Sequence, residues 1–115
     1  VGEDFFDLFN AILGSGPAIL LKLLDVQKIK IMELGFEESV VNSLLVGLMK
    51  GTTDYFRENC DSSSIDKLIG NIASKGGTTE AGLNYLRDNN IGKLFENVID
   101  MAQKRSVEIG VAKNF

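Results

Sequence analysis

The chain has 115 residues, of which 44% are hydrophobic and 24% charged, a length and composition typical of one globular domain. Its formal net charge of −4 disfavours nucleic acid, which needs clustered Lys and Arg side chains to neutralise its phosphates. There is no histidine, so the chain lacks the residue that serves most often as metal ligand and as acid–base group. Cys60 is the only cysteine, which excludes an internal disulfide and suits a reducing cytoplasm.

Apolar residues recur at helical spacing from the start of the chain, and no stretch alternates as a strand would. A short first helix is predicted over residues 3–13, with Gly14-Ser15-Gly16 as an interruption. Pro17 then opens a second helix, since the first helical turn has no use for the N–H that proline lacks. This helix is predicted to run to about residue 34, where Gly35 can adopt the left-handed conformation that ends a helix.

The second helix is apolar on nearly every side, so it needs packing partners all round. One small core does not supply them, and burial in a subunit interface is predicted instead. A membrane span is disfavoured because charged residues interrupt the helix and are costly in lipid. These residues are Lys22, Asp25, Lys28, Lys30 and Glu33.

Three connections separate the remaining helices. Two acids at positions 37–38 suit the start of a third helix, which is predicted to end near residue 57. In the polar connection that follows, Ser63 is predicted to cap the fourth helix, with Asp66 three residues on. The next break precedes a fifth helix that begins at residues 78–80.

Asn89-Asn90 ends the fifth helix, and the sixth carries the clearest apolar stripe, from Ile91 onwards. Periodicity is weak beyond Ile109, so a frayed tail is expected. The predicted fold class is therefore all-α, with about six helices in a single domain that spans residues 1–115.

The Gly76-Gly77-Thr78-Thr79 segment is the first candidate site. Two glycines ahead of a helix allow successive N–H groups to point into one concavity, and the helix start adds partial positive charge. The two hydroxyls can donate or accept hydrogen bonds. Together these groups would hold a carboxylate or a phosphate. The alternative, an ordinary loop with a threonine cap, is favoured by the spacing alone.

Gly14-Ser15-Gly16-Pro17 is the second candidate. It is not a dinucleotide fingerprint, because no strand precedes it and the third glycine is missing. It is either a tight corner between helices or a point of close backbone approach to a ligand. No spacing of carboxylates indicates a metal site, and Cys60 has no histidine to activate it as a nucleophile.

These marks together resemble the C-terminal domain of the pyrroline-5-carboxylate reductases. That family has Gly-Ser-Gly-Pro-Ala before a long apolar helix, matched here by residues 14–18. It has a Ser-Pro-Gly-Gly-Thr-Thr loop followed by Ala-Gly, matched by Ser74, residues 76–79 and residues 81–82. Its Arg-Ser-x-Glu-Leu ending is matched approximately by residues 105–109. The spacings agree as well, so the resemblance covers essentially the whole chain.

The family reduces the cyclic imine 1-pyrroline-5-carboxylate to L-proline, the last step of proline biosynthesis, with hydride from NADPH or NADH. The resemblance implies a cytoplasmic oxidoreductase whose N-terminal Rossmann domain, absent from this chain, binds most of the cofactor. These 115 residues alone are then expected to be inactive. It also implies an interleaved homodimer, which some members assemble into larger rings.

The resemblance places the substrate at the Gly-Gly-Thr-Thr loop. The N–H groups of Gly77 and Thr78 would hold its carboxylate, and the Thr79 hydroxyl would serve the ring nitrogen as the catalytic group. Ser74 and Gly76 belong to the same implied substrate site, together with Ser15, which is assigned a smaller role. The Thr78 side chain is expected to cap the helix. No residue of the chain is assigned to the cofactor.

Two departures from the family pattern leave another interpretation of the function open. Lys75 replaces the usual proline of the loop, and Leu13 stands where a serine is common. A divergent member without reductase activity, or a non-catalytic helical oligomerisation module, remains an alternative. The apolar second helix supports a module equally well.

Overall fold

The computed structural model describes residues 3–73 and 77–113, and within these ranges the chain forms helices and no strand. Six α-helices and one π-helical turn follow each other: α1 (Glu3–Phe9), the π turn (Asn10–Gly14), α2 (Gly16–Met32), α3 (Glu38–Asn59), α4 (Ile65–Ala73), α5 (Gly77–Asp88) and α6 (Ile91–Lys113). The predicted all-α fold with about six helices is confirmed.

The expected interruption at residues 14–16 is not a loop. The Ser15 N–H donates to the Asn10 carbonyl at 3.1 Å, which is the hydrogen bond that closes the π turn, and Ser15 itself has helical dihedral angles (φ −88°, ψ −20°). The Ser15 carbonyl in turn accepts the Ile19 N–H at 3.1 Å, the first link of α2. The prediction of a break was therefore wrong. The chain accommodates an extra residue by widening one helical turn.

The breaks predicted from Gly35 and Asn90 are confirmed. Gly35 has φ +87° and Asn90 has φ +56°, both in the left-handed region that a helix cannot continue through. These two are the residues with positive φ within the described part of the chain. Asn is among the few non-glycine residues that adopt this conformation readily, which explains why the second break needs no glycine.

The cap of α4 was assigned to the wrong serine. Ser64 lies directly before the helix, and its hydroxyl accepts the Lys67 N–H at 3.2 Å. Ser63 instead donates its own N–H to the Asn59 carbonyl, at 3.0 Å, in the preceding turn. The capping residue is therefore Ser64, because the role belongs to the residue that immediately precedes the first helical one. The prediction of a frayed tail beyond Ile109 was also wrong, since α6 continues to Lys113.

Contacts group the chain into two compact units. The first comprises Val1–Leu23 and Arg87–Phe115. In it α1 and the π turn pack against α6, and Ala11 is buried, with 1% of its surface exposed. That the chain forms a single domain stays a prediction.

The second unit comprises Leu24–Leu86. Its buried side chains are Val41 and Leu45 of α3 and Leu68 of α4, with Val41 fully enclosed. The Tyr55 hydroxyl donates to the Leu68 carbonyl at 3.0 Å and so ties α3 to α4.

The protomer leaves much apolar surface uncovered. No residue of α2 is buried, and six of its large apolar side chains are exposed to solvent: Leu20, Leu21, Leu23, Val26, Ile29 and Met32. By length and composition alone, the 28-residue helical run Phe5–Met32 could cross a membrane, and only 6% of its most apolar window is buried. The same features are found in a helix that another protein surface covers.

Candidate functional site

Three of the predicted loop residues form the first turn of α5. Gly77, Thr78 and Thr79 open this 12-residue helix, whereas Ser74, Lys75 and Gly76 lie outside the described residues. The first N–H groups of a helix have no intrahelical acceptor, so those of Gly77 and Thr78 remain for another partner. Gly77 and Thr78 are exposed, and Thr79 is half-buried.

The expectation that the Thr78 side chain caps α5 was wrong. The helix begins one residue earlier than predicted, which makes Thr78 its second residue rather than the one before it. Among the described residues, neither the Thr78 nor the Thr79 hydroxyl has a hydrogen-bond partner. Both hydroxyls are therefore available to a bound molecule.

Gly77 is not required by the chain's own structure. It lies in the helix, and its φ is outside the left-handed region. The sequence had suggested that a glycine is needed here to turn the backbone, and this reason does not apply to Gly77. A Cβ atom added to Gly77 would have no atom within 4 Å. The space at this position leaves room for a molecule that approaches the start of α5 closely.

The charge at this helix start comes from the backbone. Glu80 is the acidic residue of the first turn, and it is exposed. An acid at this position stabilises the helix through the macrodipole but repels a bound carboxylate. Within the described first turn there is no basic side chain, so an anion here would be held by N–H groups and hydroxyls.

Ser15 lies just after the π turn and is half-buried. Its N–H and carbonyl are both used by the helix, while its hydroxyl has no hydrogen-bond partner in the described ranges. A Cβ atom at Gly16 would meet nothing within 4 Å, so the backbone beside Ser15 faces open space. At Gly14, by contrast, a Cβ atom would lie 2.5 Å from Oδ1 of Asn10, so a larger residue here would require the Asn10 side chain to move.

Ser15 belongs to the first unit and Thr79 to the second. Each is described within its own unit, and their contribution to one substrate site stays a prediction. Both present an unpaired hydroxyl beside open backbone, which is the feature they share.

Other reactive groups are few. Lys28 holds the pKa of the Glu38 carboxyl below its usual value, first through a hydrogen bond of 2.8 Å and second through its charge. Cys60 is exposed at the end of α3, and its Sγ lies 3.9 Å from the Asp61 carboxylate. In the described part of the chain, no three metal-ligating side chains form a group.

An apolar groove between α3 and α4 was not anticipated. Its volume is about 240 Å³, and it lies wholly within the second unit. The residues that line it are Thr52, Tyr55, Phe56, Ile65, Leu68, Ile69 and Ile72. The sequence shows an apolar stripe on each helix, but only the packing of α3 against α4 brings the two stripes to one surface.

Comparison with known proteins gives a consistent result. The family model described as pyrroline-5-carboxylate reductase dimerisation matches residues 3–109. The pyrroline-5-carboxylate reductase of Staphylococcus haemolyticus is 37% identical over 109 residues, which cover 95% of this chain and 40% of that protein. Pyrroline-5-carboxylate reductase 2 of Bacillus subtilis is 33% identical over 109 residues, covering 95% of this chain and 38% of that protein.

A solved structure has the same fold. The pyrroline carboxylate reductase of Plasmodium falciparum, crystallised with NADP bound, superposes with a TM-score of 0.82 at 24% identity. The match covers 96% of this chain and 41% of that one. The chain thus spans about two fifths of the length of the relatives that it matches.

Proposed function

The chain belongs to the pyrroline-5-carboxylate reductase dimerisation family, and from this membership we propose that it is the C-terminal part of a reductase that converts 1-pyrroline-5-carboxylate to L-proline. The observation that carries the proposal is the family match over residues 3–109, which includes both candidate segments. The enzyme would work in the cytoplasm, in the last step of proline biosynthesis.

The nicotinamide cofactor, NADPH or NADH, supplies the hydride when it is bound. The described residues of this chain do not fit a dinucleotide site, because they include no strand followed by a glycine-rich turn. We assign cofactor binding to an N-terminal Rossmann domain, and these 115 residues alone are expected to give no reduction.

The substrate carboxylate is proposed to lie at the start of α5. The N–H groups of Gly77 and Thr78 would hold it, and the open space at Gly77 supports a close approach. Thr79 is half-buried, and its hydroxyl, which has no hydrogen-bond partner among the described residues, would hydrogen-bond to the ring nitrogen. Ser74 and Gly76 extend the proposed site, and the Ser15 hydroxyl contributes from the end of the π turn.

The proposed assembly is an interleaved homodimer of one domain per chain. The exposed apolar side chains of α2 support it, since a monomer would leave them in water. The α3–α4 groove offers a second apolar surface that a partner helix could cover. Obligate dimers bury more than about 2,000 Å² and are more apolar than transient complexes.

The test compares Thr79→Ala, Thr79→Ser and Thr78→Ala in the full-length reductase that carries this chain. Thr79→Ala leaves a polar group of the bound substrate without its proposed hydrogen bond, which costs about 1–3 kcal/mol, or roughly ten- to a hundredfold in kcat/KM. Thr79→Ser keeps the hydroxyl and should retain most of the activity. Thr78→Ala should have a smaller effect, because its proposed contribution is a backbone N–H.

Thermal melts of the same variants separate catalysis from stability. If Thr79→Ala and Thr78→Ala both keep full activity, or if Thr79→Ala acts only by lowering the melting temperature, the first turn of α5 is a structural element and the site assignment is wrong.

A non-catalytic oligomerisation module is the second candidate. The uncovered face of α2 favours it as much as it favours the enzyme. Titration with L-proline distinguishes the two, because the reductase binds its product at the α5 start and a module does not.

A further inference from the structure

One polar cluster lies away from the proposed carboxylate site. The Ser106 hydroxyl of α6 donates to Oδ1 of Asp7 at 2.7 Å and accepts the side-chain N–H of Asn10 at 3.2 Å. Both partners are more than 95 positions away along the chain, and all three residues belong to the first unit. Ser106 and Asp7 are half-buried. The bond to the carboxylate is charge-assisted and therefore among the stronger kinds of hydrogen bond.

Asn10 connects this cluster to the π turn. Its carbonyl accepts the Ser15 N–H at 3.1 Å, the bond that defines the turn. The other end of its side-chain amide, Oδ1, fills the space where a Cβ atom of Gly14 would be, 2.5 Å away. The amide is thus held by Ser106 on one side and lies over Gly14 on the other.

The register of this turn decides where Ser15 points. In an uninterrupted α-helix the Ser15 N–H would bond to the Ala11 carbonyl instead of that of Asn10. Successive residues of an α-helix are separated by about 100° around its axis. If the turn contained one residue fewer, the residues of α2 would therefore be rotated by about that angle relative to α1. The Ser15 hydroxyl and the open backbone at Gly16 would then face another direction. π turns are rare and occur frequently at functional sites.

We propose that Ser106, together with Asp7, is a positioning residue for the reductase. It holds Asn10 so that residues 10–14 keep the π register, and this register aims the Ser15 hydroxyl at the substrate. The role depends on the function proposed above, since it requires Ser15 to contact the substrate. Ser106 itself does not touch the reacting atoms.

The experiment uses the full-length reductase with three single variants. Ser106→Ala removes both hydrogen bonds, Ser106→Thr retains the hydroxyl, and Ser43→Ala is a matched control on the exposed surface of α3. Amide hydrogen exchange over residues 10–16 should become about tenfold faster in Ser106→Ala. Exchange should stay near the wild-type rate in the other two variants.

Steady-state kinetics then test the link to Ser15. Ser106→Ala should raise KM for 1-pyrroline-5-carboxylate severalfold with little change in kcat, as expected when a binding contact is lost. Ser15→Ala should show the same pattern, and the double variant with Ser15→Ala and Ser106→Ala should have no higher KM than Ser15→Ala alone. Ser106→Thr should restore the wild-type KM.

Three outcomes would overturn the proposal: unchanged exchange at residues 10–16 in an active Ser106→Ala enzyme, faster exchange with an unaltered KM, or additive effects of the Ser15 and Ser106 substitutions. If Ser106→Ala does not fold, failure of Ser106→Thr to keep the wild-type exchange rate and KM would also overturn it. A wild-type enzyme without reductase activity would instead overturn the function itself, and with it the substrate role of Ser15.

Discussion

Substituting Leu21 by glutamate should convert the proposed dimer into monomers. Leu21 lies in α2, a helix without a buried residue, and 63% of the surface of this leucine is exposed in the protomer. In the proposed dimer its side chain would be covered by the partner. A carboxylate at the same position would have to leave water without a compensating charge.

The magnitude follows from that exposure. Fully burying a leucine side chain stabilises by about 1.5–3 kcal/mol, so covering the exposed part of Leu21 contributes about 1–2 kcal/mol. A two-fold axis presents the residue twice, which doubles the loss to about 2–4 kcal/mol. This corresponds to a rise in the dimer Kd of roughly 30- to 1,000-fold. Desolvation of the new carboxylate adds to this figure.

Sedimentation velocity over a dilution series measures the effect directly. Leu21→Met is the matched control, because it keeps an apolar side chain of similar volume and should leave the Kd close to that of the wild type. Thermal melts show whether each protomer remains folded. A Leu21→Glu protein that dimerises as tightly as the wild type would refute the assignment of this face of α2 to the interface.

Two further predictions concern the second unit. Ser64→Ala should lower the free energy of unfolding by about 1 kcal/mol through loss of the α4 cap, whereas Ser63→Ala should be nearly neutral; urea denaturation of both variants measures the difference, and equal effects would contradict the assignment of the cap. An NMR titration should place the pKa of Glu38 below its usual value of 4.5, and Lys28→Gln should return it to that value. Because the folded-state pKa is lowered, the stabilisation from this pair is present above pH 4.5 and is lost as the pH falls through the lowered pKa. A Glu38 pKa that does not respond to Lys28→Gln would exclude the pair as its cause.

The sequence by itself determined the helices and most of their ends. Gly35 and Asn90 stop helices because they adopt positive φ, a property of the residue and its immediate neighbours. Pro17 lies in the first turn of α2 for an equally local reason. The recurrence of apolar residues at helical spacing predicted the fold class, because that pattern needs no knowledge of what each helix packs against.

Two capping roles expected from the sequence were wrong. Ser63 was expected to cap α4, but the hydroxyl that accepts the Lys67 N–H is that of Ser64. Thr78 was expected to cap α5, but it lies within the helix. A row of similar polar residues leaves the choice of cap open, since each could accept the same N–H. The glycine at position 77 was assigned to a turn, whereas the structure gives it helical geometry and open space.

Tertiary structure alone decided the π turn and the groove. The hydrogen bonds of Ser106 to Asp7 and Asn10 join residues at opposite ends of the chain, and no pattern within a helical window can reveal them. The groove between α3 and α4 likewise exists only once two separate helices meet. Local dihedral preferences act over a few residues and are readable in the sequence, whereas a non-local contact depends on how whole helices pack against one another.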